Sequence, residues 1–363
     1  MAMIFGILIG LLVLVFLVVI HELGHAIVAR RNGVVVEEFG IGFPPTAWAK
    51  KLKNGVLFKI NTLPLGGYVK LQGEHDADDK KGDYGATTYW QKTKILLAGV
   101  AVNWIFAAIL FTILAFVGLP KIVDNQFTVP ADTTIVTTPV TIADVQQDSP
   151  AKKASLQTGD QIISINGQAI NSLTDFTNRA KKLQGQTVSL SYLREGVAQQ
   201  TDVALRKDQT KGSLGVTLSG STEKYRATWS APIVGLVTTA QLTEANFRGL
   251  GDMVAQLFRG DAKQVGESVA GPVGILAVMF PNASQAGLTG VLLLAAIISL
   301  ALAVMNLLPI PGLDGGRWFT MTIFKIFGKK LTKETEDKIN STGMMILLLL
   351  VVLVTIADVG KLF

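Results

Sequence analysis

Four stretches of the chain are almost unbroken apolar runs, separated by segments in which polar and apolar residues mix. They occupy residues 1–31, 93–119, 286–316 and 342–360, and the first carries no charge from Met3 to Ile20. About 20 apolar residues carry a helix across ~30 Å of hydrocarbon. Each run is therefore expected to be a transmembrane helix, although the fourth has a short apolar core, residues 344–356, and needs its flanks to span. The first run has no basic leader and no small-residue cleavage site, which argues against a removable secretion signal.

The mixed segments predict other structure. Within residues 32–92, residues 34–39 (VVVEEF) and 56–60 (VLFKI) are strand-like, and Asn54-Gly55 is a hairpin-turn dipeptide. Residues 126–211 alternate short strand patterns with two helical stretches, a helix start at Ser149-Pro150 and a longer helix over 173–183. Residues 212–285 follow, and over 233–258 their apolar positions recur at helical spacing. An amphipathic segment resting on the preceding domain or on the outer leaflet is expected there. The fold class is a polytopic α-helical membrane protein with four transmembrane helices, a membrane-associated β-hairpin region and one α+β domain outside the bilayer.

Composition supports lipid as part of the solvent, since 49% of the 363 residues are hydrophobic and only 17% charged. The net charge of +6 comes from scattered basic residues with no nucleic-acid module, so no nucleic-acid partner is expected. The placement of those residues matters more than their number. Arg30, Arg31, Lys50, Lys51 and Lys53 follow the first run, and Arg317, Lys325, Lys329 and Lys330 follow the third. Short basic connections stay cytoplasmic, which puts residues 126–285 on the extracytoplasmic side. Cysteine is absent, which excludes thiol nucleophiles and thiolate metal ligands.

Only three histidines occur, and two lie in His21-Glu22-Leu23-Gly24-His25. Residues four apart share one face of a helix, so two imidazoles can grip one zinc ion while Glu22 holds water beside it. The motif continues an apolar span, where an ionisable group costs about 2.5–3.5 kcal/mol and is functional by default. Catalytic zinc usually takes three protein ligands. His75 lies in the charged stretch GEHDADDKKGD and is expected to be solvated, so a carboxylate is the expected third ligand. Asp314 is the candidate, because Pro309 and Pro311 forbid regular helix before it and glycines flank it. Unwound backbone at membrane depth is tolerated only where it lines a site.

The histidine motif, together with Asn306-Leu-Leu-Pro-Ile-Pro-Gly-Leu-Asp314-Gly-Gly316, resembles the site-2 protease family of intramembrane zinc metalloproteases. The nearest likeness is to bacterial enzymes of regulated intramembrane proteolysis that carry a PDZ domain. The resemblance implies one catalytic Zn2+ held by His21, His25 and Asp314, with Glu22 as general base. It implies substrate-positioning roles for Asn306, for Asn103 in Gly99-x-x-x-Asn103, and for Gly66 and Gly67 in a β-hairpin region that presents substrate as an added strand. Ala270-Gly-Pro-Val-Gly274 is a further family-like element. The stretch DSPAKKASLQTGDQIISING resembles bacterial PDZ domains, which implies that residues 126–211 form one extracytoplasmic PDZ domain. Implied partners are the bilayer and single-span membrane proteins such as anti-sigma factors or signal peptide remnants. The implied location is a bacterial inner or plasma membrane, with the active site near its cytoplasmic face. The alternative is a non-catalytic PDZ-containing adapter or membrane chaperone.

Overall fold

The computed structural model describes residues 2–137, 139–170, 172–207, 212–219, 223–259 and 271–362. The chain divides into two compact units, 1–114 with 232–363, and 115–231. Among the described residues, four helices are long and apolar enough to cross a membrane: Met3–Arg31, Ala98–Val117, Gly287–Leu307 and Lys333–Gly360.

The first unit begins with α1 (Ala2–Arg31), an uninterrupted run without proline. Two long strands follow, β1 (Val36–Lys51) and β2 (Leu57–Leu71). They make more than a simple hairpin. Glu38, Phe39, Gly40 and Ile41 pair with Lys70, Val69, Tyr68 and Gly67 on one side. On the other side the same four residues pair with Leu57, Phe58, Lys59 and Ile60, in indices that rise together. The first half of β1 is thus the middle of the sheet, and the second half of β2 is a rim. Phe39, Val36, Val56 and Leu71 bury the inner face against Ala26 and Ala29 of α1.

Next come α2 (Tyr89–Leu96), closed at its start by a Thr88–Gln91 capping box, and α3 (Ala98–Val117). The expected span over 93–119 is therefore interrupted at Leu97, whose backbone leaves the helical conformation.

The second unit holds β3 (Leu119–Pro120), β4 (Thr134–Thr137), β5 (Val140–Val145), α4 (Pro150–Lys153), β6 (Gln161–Ile165), β7 (Gln168–Ala169), α5 (Leu173–Lys182), β8 (Thr187–Arg194), β9 (Val197–Ala204), β10 (Val216–Ser219) and β11 (Glu223–Arg226). One sheet has the order β10-β5-β6-β8-β9 with β7 beside β6, and a smaller one the order β3-β11-β4. Ile142, Ile162, Ile165, Phe176, Leu190 and Val203 fill the core of the larger. The larger sheet reaches past the expected limit of 211, and the smaller one takes residues on both sides of the expected 126–211. β10 pairs with β5 and completes the larger sheet, while β4 and β11 pair outside it. Short four-residue strands such as these carry too little pattern to be read from the sequence.

The chain returns to the first unit through α6 (Ala231–Phe258). Trp104 Nε1 on α3 donates to Thr243 Oγ1 at 3.0 Å, and Thr238 and Thr239 are fully buried. The region 212–285, expected to hold an amphipathic segment, is divided among several elements. Its start contributes β10 and β11, and its middle packs on α3. Its end forms α7 (Pro272–Gly274), a π-helical turn (Ile275–Met279) and α8 (Phe280–Gln285). A Cβ at Gly10 would meet the Phe280 ring at 2.6 Å, so that notch on α1 admits a phenylalanine with no exposed surface. Ala270 lies outside the described residues.

Then follow α9 (Gly287–Leu307), α10 (Asp314–Ile326) and α11 (Lys333–Leu362). The region 286–316, expected to hold the third span and the aspartate motif, takes in α9, a break and the start of α10. The Pro309–Pro311 stretch ends α9, and Asp314 opens a new helix. A Cβ at Gly315 or Gly316 would strike the carbonyls of Leu307 or Ile310, so these glycines let α10 restart against the loop that precedes it.

Candidate metal centre and substrate edge

His21 and His25 lie one turn apart on α1 and are 7% and 6% exposed, in a helix whose other charged residues are Glu22, Arg30 and Arg31. Each has a partner behind it. His25 Nδ1 donates to Ile95 O at 2.7 Å, beside the interruption at Leu97. His21 Nδ1 lies 3.4 Å from the side-chain amide of Asn103, which is fully buried with its Oδ1 unpaired. Turning that amide over lets Oδ1 accept from His21 Nδ1–H. The O and N of an amide are assigned by such networks.

With both Nδ1 atoms engaged, the two Nε2 lone pairs face each other at 3.2 Å. Asp314 Oδ2, carried by the first turn of α10, lies 3.0 Å from His21 Nε2 and 3.1 Å from His25 Nε2. Three lone-pair-bearing atoms at this spacing repel one another unless a cation sits among them. The ligand atoms of tetrahedral zinc, ~2.0–2.1 Å from the metal, stand ~3.3 Å apart. The trio therefore fits the ion by donor type and spacing. Among the described residues it is the one group of three such side chains able to hold a metal. Gly99 explains how α3 comes so close, because a Cβ there would collide with both imidazoles.

Glu22 points to the rim of the sheet. It lines the same cavity as Val69, and a Cβ at Gly67 would stand 3.5 Å from Glu22 Cγ. Glu22, His25, Val69, Leu71, Glu74, Asp314 and Arg317 line a cavity of about 100 Å³.

The other expected residues lie as follows. Gly66 has φ +86° and abuts the Phe43 ring, in the bend that leads into the rim. Asn306 Nδ2 donates to Leu302 O one turn back on α9, and among the described residues no hydrogen bond joins it to the histidines. Asn103 stands behind His21 rather than in the cavity. His75, expected to be solvated, is instead tied down. Its Nε2 lies 2.8 Å from Asp337 Oδ1 and its Nδ1 3.4 Å from Asp78 Oδ2.

Two neighbours of the site escaped the sequence reading. Arg317, one turn after Asp314, donates to Glu74 O at 2.8 Å and reaches Glu336 at 3.4 Å. Glu74 in turn accepts from Leu71 N at 2.7 Å. The only hint was position, since Arg317 follows Asp314 by three residues and so shares its helix face.

In the second unit, α5 and the edge strand β10 flank a groove of about 280 Å³, lined by Phe176, Ala180, Lys181, Leu214, Gly215 and Val216. Asp160 anchors that unit. It is 1% exposed, with both carboxylate oxygens on Arg194, at 2.8 and 2.7 Å. Burial alone would raise its pKa, but the Arg194 hydrogen bonds and the Gln157 N–H outweigh burial and hold it below the ordinary aspartate value.

Comparison with known proteins places these features in a family. The profile of Peptidase family M50 matches residues 9–350. A Clostridium perfringens protein whose name contains the words zinc metalloprotease is 32% identical over 350 residues, covering 94% of this chain and 95% of its own. Zinc metalloprotease RasP of Geobacillus kaustophilus is 26% identical over 427 residues, with 96% of each chain covered. Among solved structures, the PDZ domain of an SdrC-like protein from Listeria monocytogenes matches at 30% identity and a TM-score of 0.22. It covers 23% of this chain and 92% of that domain.

Proposed function

Because the chain belongs to peptidase family M50, we propose that His21, His25 and Asp314 are the ligands of its zinc and that Glu22 is its general base. The chain is a zinc-dependent intramembrane metalloendopeptidase. The observation that carries the residue assignment is the convergence of His21 Nε2, His25 Nε2 and Asp314 Oδ2 within 3.2 Å of one another.

A zinc ion bound there supplies Lewis acidity, which acidifies water and polarises the carbonyl under attack. The Glu22 carboxylate accepts a proton from water and delivers it to the nitrogen of the leaving amine. Asn103 Oδ1 and Ile95 O fix the imidazoles in the tautomer that leaves both Nε2 atoms free to ligate. The Gly67–Leu71 rim accepts the unwound substrate as an added strand, which exposes a peptide bond that a helix would shield. Gly66 supports that role by setting the bend into the rim, and Gly67 by leaving room beside Glu22. Asn306 is assigned to substrate positioning by its place in the family motif.

Substrates are single-span membrane proteins, with anti-sigma factors and signal peptide remnants as candidates. The protein resides in a bacterial inner or plasma membrane. The basic residues after the first and third spans support a site near the cytoplasmic face and an extracytoplasmic second unit. That unit is read as a PDZ domain from its sequence. Its groove between α5 and β10 suits a peptide end added to β10, which would restrict entry to substrates already trimmed outside.

The test is Glu22→Gln in the purified full chain. Cleavage of a single-span substrate should be lost while one zinc per chain is retained. Undiminished turnover would remove Glu22 from the mechanism.

A further inference from the structure

An antiparallel rim presents outward N–H groups at alternate residues. On the rim beside α1 they fall at Val69 and Leu71. Glu22 lines the cavity that Val69 borders, and Glu74 Oε1 accepts from Leu71 N at 2.7 Å. One residue further the rim closes. Gln72 N donates to Val35 O at 2.9 Å, and Gln72 O accepts from Tyr84 N at 2.8 Å. Gly73 O is likewise taken by Gly85 N at 3.0 Å. β2 ends at Leu71, so Leu71 N–H is the last outward donor of the strand itself.

We infer that Glu74 guards the strand that receives substrate: its carboxylate occupies the Leu71 N–H that an incoming peptide carbonyl must take, and it swings aside when the peptide binds. The inference rests on the strand-addition reading above. The cavity lined by Glu22, Val69, Leu71, Glu74 and Asp314 is about 100 Å³. Glu74 Oε1 already takes the Leu71 N–H on its wall, so a carbonyl of an added strand has to displace that carboxylate, and Glu74 is built to yield. Its backbone is pinned, because Arg317 donates to Glu74 O at 2.8 Å from α10. The side chain can therefore leave without unravelling the loop. Glu74 acts through Leu71 and is a positioning residue. In the resting state it satisfies that donor and keeps unrelated strands off an open edge. Substrates that cannot displace a charge-assisted hydrogen bond are disfavoured.

The experiment measures kcat and KM separately for the full chain in detergent, with a solubilised single-span peptide that the wild type cleaves. A set of analogues, each N-methylated at one backbone amide, is run beside it. Glu74→Ala should lower KM for the parent peptide about threefold to tenfold, with kcat within about twofold of wild type, as expected for removal of a competing hydrogen bond to a charged group. Glu74→Gln keeps an acceptor without the charge and should lower KM by less; it also decides the matter if the alanine variant does not fold. Unchanged or raised KM in the folded variants would overturn the guard, as would a fall in kcat alongside KM. In the wild type, N-methylation should raise KM at alternate positions. A flat series would sink strand addition itself, and the guard with it. An alternating series with unmoved KM in both Glu74 variants would sink the guard alone.

Discussion

Gly99→Ala offers a sharp probe of the metal centre, because it adds one methyl group at a known place. The new Cβ would lie 2.6 Å from His21 Nε2 and nearer still to His25 Nε2, against ordinary contact beginning at 3.4 Å. Relief requires the imidazoles or α3 to move by about 1 Å, whereas metal sites hold ligand distances to within about 0.2 Å. Gly99 lies in the first turn of α3 and has no positive φ, so alanine brings no backbone strain of its own there. Any loss therefore belongs to the site and not to the helix. Zinc affinity should fall at least about 100-fold, or about 2.8 kcal/mol, with little change in thermal unfolding of the metal-free chain. The assay is zinc per chain after dialysis against a graded chelator series. If Gly99→Ala retains zinc through the same series as wild type, the imidazoles do not lie where this account puts them.

Three further outcomes follow from the same structure. Asn103→Ala removes the partner of His21 Nδ1 and should weaken zinc binding by about tenfold to 100-fold, read by the same chelator series. Asp160→Asn breaks a buried pair with Arg194 and should lower the unfolding free energy of the second unit by about 2–4 kcal/mol, read by hydrogen exchange over 140–205 in the full chain. The sign of its pH dependence follows from the lowered pKa: the Asp160 contribution is complete above the unfolded value near ~3.9 and drains away as pH falls through the folded one. Wild type should thus lose protection in that strongly acidic window and the variant should not. Gly10→Leu would drive a side chain into Phe280 and should destabilise the chain by about 1–3 kcal/mol, measured by thermal unfolding in detergent.

What the sequence made visible, and what it hid, follows the range of the interactions. The histidine pair is a local pattern, four residues on one helix, and an apolar span makes it conspicuous. Asp314 was legible because Pro309, Pro311 and three nearby glycines cannot continue a membrane helix without a reason. That Asp314 opens α10 was not, since proline marks an end but not where the next helix starts. The Asn54-Gly55 turn pointed to a hairpin. Nothing local reveals that residues 38–41 pair with both 57–60 and 67–70. Gly6 and Gly10 read as ordinary members of an apolar run. Their purpose appears only when Pro281 packs against Gly6 and Phe280, some 270 residues after Gly10, fills the notch there. Glu74 and Arg317 carry no motif at all, and their proximity to the zinc ligands is a product of tertiary packing.

The central claim concerns a single ion bound by two imidazoles and one carboxylate drawn from separate helices. X-ray absorption at the zinc edge, on wild type and Asp314→Ala in detergent, addresses it directly. The expected result is one zinc per wild-type chain with two imidazole ligands and oxygen completing the shell, and loss of the metal in the variant. Full zinc occupancy with an unaltered spectrum in Asp314→Ala would contradict it.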